Sequence, residues 1–448
     1  MNTNEILSHL GIELLNGMQQ EMHEACRKHN NVVLLSPTGS GKTLAYLIPV
    51  VQQINPKIDS VQSLVLVPSR ELAIQTASVL KKMNCGVRGL AVYGGRPAMD
   101  EHRTMKGVLP HIIIGTPGRI LDHLKKENFS PDHISRVVID EFDKSLELGF
   151  QDEMSNIMAY LSQVESRLLL SATDCPQIPL FVGTSDSTVR LDFLDDTETI
   201  PERINVYVVN STLKDKLECL GALLSCFGQQ SSLIFVGFRE SVDRVCKYLS
   251  NQGFSVGAFH GGMDQQDRER ALFRFTSGAC NVMVSTDLAA RGLDIPEIDN
   301  VIHYHLPMDE HAYVHRNGRT ARWDAVGNAY VILGPEEFLP DFVPNNIMTY
   351  PVDQEKYSNA IKNKTAVIPQ PKWESFYIGR GKKDKLSKGD IAGFMMKIGG
   401  LAKEELGRIE VRDHCSYVSI VRVRVHELML RIRGQKIKGM KTIIEPTK

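Results

Sequence analysis

Short runs of consecutive apolar residues recur along the first half of the chain, separated by stretches of helical length. They begin at Val32 (VVLL), Leu64 (LVLV), Ile112 (III), Val137 (VVI) and Leu168 (LLL). Runs of this kind mark strands buried on both faces, as in a parallel sheet covered by helices on either side. After the polar segment Thr197–Arg203 the pattern restarts with INVYVV from Ile204, SLIFV from Ser232, SVGAF from Ser255, NVMVS from Asn281 and NVIHYH from Asn300. Two alternating β/α series predict two tandem doubly wound α/β domains, residues 1–198 and 199–352. From Tyr350 to Pro371 the periodicity lapses, so residues 353–371 read as a linker. Residues 372–448 then predict a small α+β domain of order βαββαβ, with the strand–helix boundary after Ile420 left open.

Length agrees with several domains, since 448 residues exceed what one hydrophobic core organises. The composition, 42% hydrophobic and 23% charged, is that of ordinary globular proteins. No apolar run approaches the ~20 residues of a membrane span, and the start MNTNEILSHL lacks the basic and apolar regions of a signal peptide. Eight scattered cysteines without CxxC pairs or zinc spacing predict reduced thiols, and a cytoplasmic location is expected. The net charge of −1 hides an asymmetry. Residues 372–448 carry 18 Lys and Arg against 9 Asp and Glu, which leaves 34 basic and 44 acidic residues elsewhere. A basic block on an acidic body predicts a polyanionic partner held by the C-terminal segment.

The run at Val32 leads into Ser36, Pro37, Thr38, Gly39, Ser40, Gly41, Lys42 and Thr43. A glycine-containing turn between strand and helix lets backbone N–H groups close around phosphates at a helix N-terminus. Lys42 is placed to reach the β- and γ-phosphates and Thr43 to ligate Mg2+. The strict phosphate-loop pattern wants Gly where Ser36 stands. Asp140-Glu141-Phe142-Asp143 follows the apolar strand at Val137, about 100 residues later. Asp140 there can hold Mg2+ beside the phosphates, and Glu141 can polarise the attacking water.

These segments, with Ser171-Ala172-Thr173 and His315-Arg316-Asn317-Gly318-Arg319-Thr320-Ala321-Arg322, resemble the ordered motifs of DEAD-box RNA helicases. Pro68–Ala73 (PSRELA), Gly94-Gly95 and Thr116–Arg119 (TPGR) resemble that family's RNA-contacting motifs in the first domain. His260–Arg268 and Ser285–Asp294 match the second domain. The resemblance spans nearly the whole chain and implies two RecA-like domains, ATP and Mg2+ as cofactors, and RNA-dependent ATP hydrolysis with local duplex unwinding. It implies that Gln19 reads adenine, although Leu15-Asn16 replaces the usual Pro-Thr of that motif. It further implies that Asp294 contacts the ribose, that Arg319 and Arg322 act as arginine fingers, and that Arg70, Gly95, Thr116, Arg119 and Thr286 grip RNA. Phe142 stands where the family has a small residue, and altered packing against a neighbouring helix is expected.

Trp373–Glu445 resembles the DbpA-type RNA-binding domain, an RRM-like fold, through Gly381–Lys385, Lys388–Ile391, Gly407–Ile409 and Lys436–Gly439. Lys382, Lys383, Lys436 and Lys438 are expected to bind phosphates, while Tyr377 and Tyr417 are either base platforms or core aromatics. The resemblance implies large-subunit ribosomal RNA as the partner and a role in ribosome assembly; a monomer without membrane attachment is expected. An ATP-gated RNA clamp with little turnover is the alternative, and Lys42, Glu141, Arg319 and Arg322 oppose it. A DNA helicase is disfavoured because RNA-type motifs and the RNA-binding tail occur together.

Overall fold

The computed structural model describes residues 2–37, 39–95, 98–174, 178–183, 188–194, 204–287, 298–320, 327–344 and 347–447. Two compact units divide the chain near residue 200. In the first, strands β1 (Asn31–Leu35), β2 (Ser63–Leu66), β3 (Gly89–Val92), β4 (Ile112–Gly115), β5 (Arg136–Ile139), β6 (Ser166–Ser171) and β7 (Val189–Asp192) form one sheet. Its order is β3-β4-β2-β5-β6-β1-β7, and every pair is parallel. The helices are α1 (Thr3–Leu10), α2 (Gly17–Lys28), α3 (Lys42–Gln53), α4 (Arg70–Lys82), α5 (Ala98–Val108), α6 (Pro117–Lys125), α7 (Phe142–Glu147) and α8 (Gln151–Tyr160).

Period-two alternation splits each central strand between two cores. Val32, Leu34, Val65 and Ile114 join Tyr46, Leu47 and Val50 of α3 on one face. Val33, Leu35, Leu66 and Ile113 join Ile120 of α6, Phe142 of α7 and Ile157 of α8 on the other. That double burial is why the strands read as continuous apolar runs.

The second unit repeats the plan. Strands β8 (Ile204–Asn210), β9 (Ser232–Val236), β10 (Val256–Phe259), β11 (Val282–Thr286), β12 (Asn300–His303), β13 (Gly327–Leu333) and β14 (Met348–Thr349) pair in parallel. Their order, β10-β11-β9-β12-β13-β8-β14, is the first sheet's order shifted by seven. Helices α9 (Leu217–Phe227), α10 (Arg239–Asn251), α11 (Gln265–Thr276) and α12 (Glu310–Asn317) belong to it. The segment read as a linker contains α13 (Gln354–Lys362). Its Tyr357 packs where a Cβ on Gly221 of α9 would stand, and Ser358 Oγ donates to Glu218 at 2.6 Å.

The C-terminal part follows the expected βαββαβ order: β15 (Trp373–Ile378), α14 (Lys388–Lys397), β16 (Leu406–Val411), β17 (Ser416–Val421), α15 (Val425–Ile432) and β18 (Ile444–Pro446). Its antiparallel sheet runs β16-β17-β15-β18. Phe376, Ile378, Val418 and Ile420 face a core with Ile391 and Phe394 of α14 and Leu428 of α15. The open boundary resolves with β17 ending at Val421 and α15 starting at Val425.

Candidate ATP and RNA sites

The order β5-β6-β1 sets three loops side by side at the carboxyl edge of the first sheet, where doubly wound folds bind ligands. Leu35 pairs with Ser171, and the Ser36 N–H donates to the Ser171 carbonyl at 3.0 Å, so the phosphate loop and Ser171–Thr173 are locked in register. Gly39 and Gly41 have φ of +85° and +93°, which turns the chain sharply before α3 begins at Lys42. Lys42 Nζ donates to the carbonyls of Ser36 and Pro37 at 2.5 and 2.7 Å. Ser36 Oγ donates to Ser40 Oγ at 2.7 Å, and Ser40 Oγ to the Pro37 carbonyl at 2.9 Å. Ser36 at the strict Gly position is therefore accommodated, because its hydroxyl ties the loop to itself. Thr38 lies outside the described residues.

Gln19 sits beneath this loop. Asn16 and Gln19 form the capping box of α2, with the Gln19 N–H donating to Asn16 Oδ1 at 2.9 Å and the Asn16 N–H to Gln19 Oε1 at 3.1 Å. Gln19 Nε2 then donates to the Gly41 carbonyl at 3.2 Å, and Asn16 Nδ2 to that of Ser40 at 3.1 Å. A Cβ at Gly41 would fall 2.4 Å from Gln19 Nε2, so glycine is needed there for the contact as well as for its φ. The departure Leu15-Asn16 thus keeps a working cap.

Asp140 is buried at the end of β5 and accepts the Glu141 N–H at 2.9 Å. Burial raises its pKa, against the nearby charge of Lys42, which lowers it. A buried carboxylate strained in this way, with the Thr43 hydroxyl at the start of α3, offers the hard oxygen donors that Mg2+ takes when substrate phosphates and waters complete its shell. Among the described residues no cluster of three His, Cys, Asp or Glu could hold a metal without such help. Glu141 has φ +49° and ψ +53°, a left-handed conformation that costs about 1–2 kcal/mol for a residue with a Cβ. Asp143 accepts the Thr173 hydroxyl at 2.9 Å, while Ser171 Oγ donates to the Thr173 carbonyl at 2.6 Å. Phe142 points into the hydrophobic core with Ile157 and Met154 of α8, which is the packing against a helix that its bulk predicts.

The RNA-type motifs of the first unit form a second group. Arg70 opens α4 behind its Ser69 cap, and its guanidinium lies across Gly94-Gly95. Gly95 has φ +90°, and a Cβ there would fall 2.5 Å from Arg70 Nη1. Thr116 caps α6. Arg119 is largely covered: its Nε donates to Glu101 Oε2 at 2.7 Å, with Asp122 at 3.6 Å. Sequence reasoning missed Glu101. It also accepts the Tyr93 N–H at 3.1 Å and His123 Nε2 at 2.9 Å, so one buried carboxylate joins the Gly94 loop to the Thr116–Arg119 loop. Asn128 donates to His123 Nδ1 at 2.8 Å, which leaves the proton on Nε2, facing Glu101. A single acid in α5 carries no motif signal, so only the fold could reveal it.

In the second unit Thr286 ends β11, where the Ser285 hydroxyl donates to the Phe259 carbonyl at 2.9 Å. The next residue, Asp287, accepts Arg316 Nε at 2.5 Å and Nη2 at 2.7 Å. Arg316 is buried, donates to the His305 carbonyl at 2.7 Å and lies over the Phe235 ring. This pair fastens the Thr286 loop to α12, a role not assigned from sequence although Arg316 stands inside the motif that starts at His315. Arg319 is buried just beyond α12, whereas Asp294 and Arg322 lie outside the described residues. In the C-terminal domain Lys382, Lys383 and Lys436 are exposed. Lys438 Nζ donates to the Lys385 carbonyl at 2.7 Å and pairs with Asp390 at 2.9 Å. The Ser387 hydroxyl first, then Lys438 and the Ser387 N–H, hold the Asp390 carboxyl down to about 2.

A phosphate loop at the carboxyl edge of one parallel sheet, paired acids beside it and a second sheet of identical order define a tandem RecA-like ATPase. Residues 16–177 match the DEAD/DEAH box helicase family, residues 215–324 the helicase conserved C-terminal domain, and residues 375–446 the DbpA RNA-binding domain. The ATP-dependent RNA helicase DbpA of Escherichia coli is 31% identical over 97% of this chain and 94% of its own. That of Bacillus subtilis is 30% identical over 94% and 92%. The motor fold is shared with Mss116p bound to single-stranded RNA and AMP-PNP, at a TM-score of 0.70 and 24% identity over 82% of this chain and 80% of that one. The chain belongs to the DEAD-box ATP-dependent RNA helicases, in the group that carries a DbpA RNA-binding domain. No described helix is long and apolar enough to cross a membrane.

Proposed function

We propose that this RNA-dependent ATPase separates short RNA duplexes, acts on large-subunit ribosomal RNA during ribosome assembly, and works as a cytoplasmic monomer. Residues 1–198 and 199–352 are its motor domains, 353–371 the connection and 372–448 the RNA-binding domain. Lys42 binds the β- and γ-phosphates, Glu141 orients and deprotonates the attacking water, and Arg319 and Arg322 meet charge that develops in the transition state. Mg2+, held by Thr43 and Asp140 with phosphate oxygens and waters, would neutralise phosphate charge. Gln19, after releasing its contacts to the loop, selects adenine, and Asp294 holds the ribose. Arg70, Gly95, Thr116 and Thr286 grip the RNA backbone, which carries little sequence information. Arg119 serves that grip through Glu101. Target choice comes from Lys382, Lys383, Lys436 and Lys438.

The hydrogen bond from Thr173 to Asp143 supports the reading of unwinding over clamping. It ties the turn after β6 to Asp143, two residues beyond Glu141 in the same loop-to-helix segment, and so offers a route from the phosphate edge to residues beyond it. The test is duplex separation measured beside phosphate release. Thr173→Val should keep RNA-stimulated hydrolysis and lose most strand separation. Equal strand separation in that variant, or none by the wild type, would refute the proposal.

A further inference from the structure

In an RRM-like sheet the face turned away from the helices is the one whose aromatics ordinarily stack on bases. Here that face carries Ser375 and Tyr377 of β15 and Tyr417 and Ser419 of β17, alternating with the core residues Phe376, Ile378, Val418 and Ile420. Ser375, Tyr417 and Ser419 nevertheless have no exposed surface. Ser375 is bonded to Thr447 and Ser419 to the Arg408 carbonyl, but what covers Tyr417 is α11 of the second motor domain. Phe273 stacks on Tyr417 with ring centroids 5.2 Å apart, Tyr377 meets Tyr417 edge-on at 5.8 Å, and Cys415 completes the cluster. At its rim Arg412 forms an ion pair with Glu269 of α11, and both side chains are mostly covered. Trp373 closes another side, 3.2 Å from where a Cβ on Gly278 would be.

The loop that supplies Arg412 also carries the basic rim. The Lys382 N–H donates to the Arg412 carbonyl at 2.7 Å and the Lys383 N–H to the Asp413 carbonyl at 2.9 Å. Lys383 Nζ meets His414 Nε2 at 3.0 Å, and Lys438 ties the neighbouring loop to Lys385. On the other side, α11 begins within the His260–Arg268 motif, at Gln265, and the Arg268 guanidinium lies over Phe259, whose carbonyl holds Ser285 beside Thr286.

We propose that the open face of the C-terminal sheet is a docking surface for α11, and that docking presents RNA held by the basic rim to the second motor domain in a fixed orientation. The second clause rests on the proposed RNA-binding role of that rim; the first does not. Tyr377 and Tyr417 are then docking residues and no base platform. A docked module delivers its RNA at a higher effective concentration than one swinging on a tether.

Charge reversal with rescue tests both clauses in the full chain. Amide hydrogen exchange of residues 268–276, measured without RNA, is compared for wild type, Glu269→Arg, Arg412→Glu and the double variant. Each single reversal should speed exchange by about tenfold, and the double variant should return within about threefold of wild type. Unchanged exchange in the singles, or no recovery in the double, would overturn docking. The same proteins are assayed for phosphate release with purified ribosomal RNA. Half-maximal RNA should rise about fivefold in the singles and recover in the double, with the rate in the absence of RNA unchanged. An unchanged half-maximal value alongside altered exchange would overturn the presentation clause. A Lys382→Ala, Lys383→Ala control isolates the underlying reading. If it leaves half-maximal RNA unaltered, the RNA role of the rim fails while the exchange result still decides docking.

Discussion

Replacing Glu101 by Ala removes the one carboxylate shared by Arg119, His123 and the Tyr93 N–H. Arg119 keeps Asp122 at 3.6 Å and part of its surface in water, so the main cost falls on fully buried His123 and on the Tyr93 amide. A buried donor left unmet costs about 1–3 kcal/mol, and the terms do not add fully because both face one cavity, so the net loss is about 2–4 kcal/mol. For a domain of this size that lowers the melting temperature of the first unit by roughly 5–15 °C. Glu101→Gln keeps an acceptor for Tyr93 but turns an NH2 group toward the Arg119 and His123 donors that share Oε2, so it should still cost about 1–3 kcal/mol. Because the Gly94 and Thr116–Arg119 loops lose their common tie, half-maximal RNA in the phosphate-release assay should rise about tenfold, equivalent to ~1.4 kcal/mol. Nucleotide affinity should hold, since Lys42 and Asp140 are untouched. Calorimetry and an RNA titration at saturating ATP give both numbers. A Glu101→Ala protein that melts within about 1 °C of wild type and responds to RNA at the same concentration would refute the reasoning.

Glu141→Gln should bind ATP and RNA like wild type while turnover falls by about 10²–10⁴, as expected on loss of a general base; wild-type phosphate release at saturating RNA would reject that role. Phe142→Ala should cost about 3–5 kcal/mol, because the ring is enclosed between β-strands and α8, and a first-unit transition unshifted in calorimetry would show otherwise. His303 is held neutral by burial first and by Arg316 second, its pKa lowered from 6.5 to about 3. Unfolded, it would bind a proton below 6.5, so the stability it contributes is present above that pH and is lost on acidification toward pH 3, by up to about 1.4 kcal/mol per pH unit. Second-unit melting should therefore fall less steeply with acid in His303→Gln than in wild type, and parallel profiles would contradict this.

The central strands were legible because both faces are buried, and the chemistry was legible because it sits in contiguous motifs at their ends. What stayed hidden had physical reasons. Edge strand β14 spans two residues and β7 alternates half-buried and exposed positions, so no apolar run marks either. Strand β13 opens on Gly-Asn, which reads as a turn. Helix α13 buries essentially Tyr357 alone, too little for a periodic stripe. Glu101 and the Asp287–Arg316 pair act across 18 and 29 positions, where local pattern says nothing. Tyr417 remained undecided because alternation places it on the open sheet face, and only tertiary packing shows that α11 occupies that face.

Phosphate release by the full chain, titrated with ribosomal RNA, poly(A) and single-stranded DNA at two salt concentrations, tests the central claim most directly. Ribosomal RNA should stimulate hydrolysis at about one-tenth the concentration of poly(A), DNA should not stimulate, and Lys42→Ala should be inactive throughout. Replacing Lys382, Lys383, Lys436 and Lys438 by Ala should close the gap between the two RNAs and flatten the log–log salt slope by about 0.7 for each phosphate that is no longer neutralised. Equal stimulation by DNA, or hydrolysis indifferent to every nucleic acid, would contradict an RNA-driven motor targeted by its C-terminal domain.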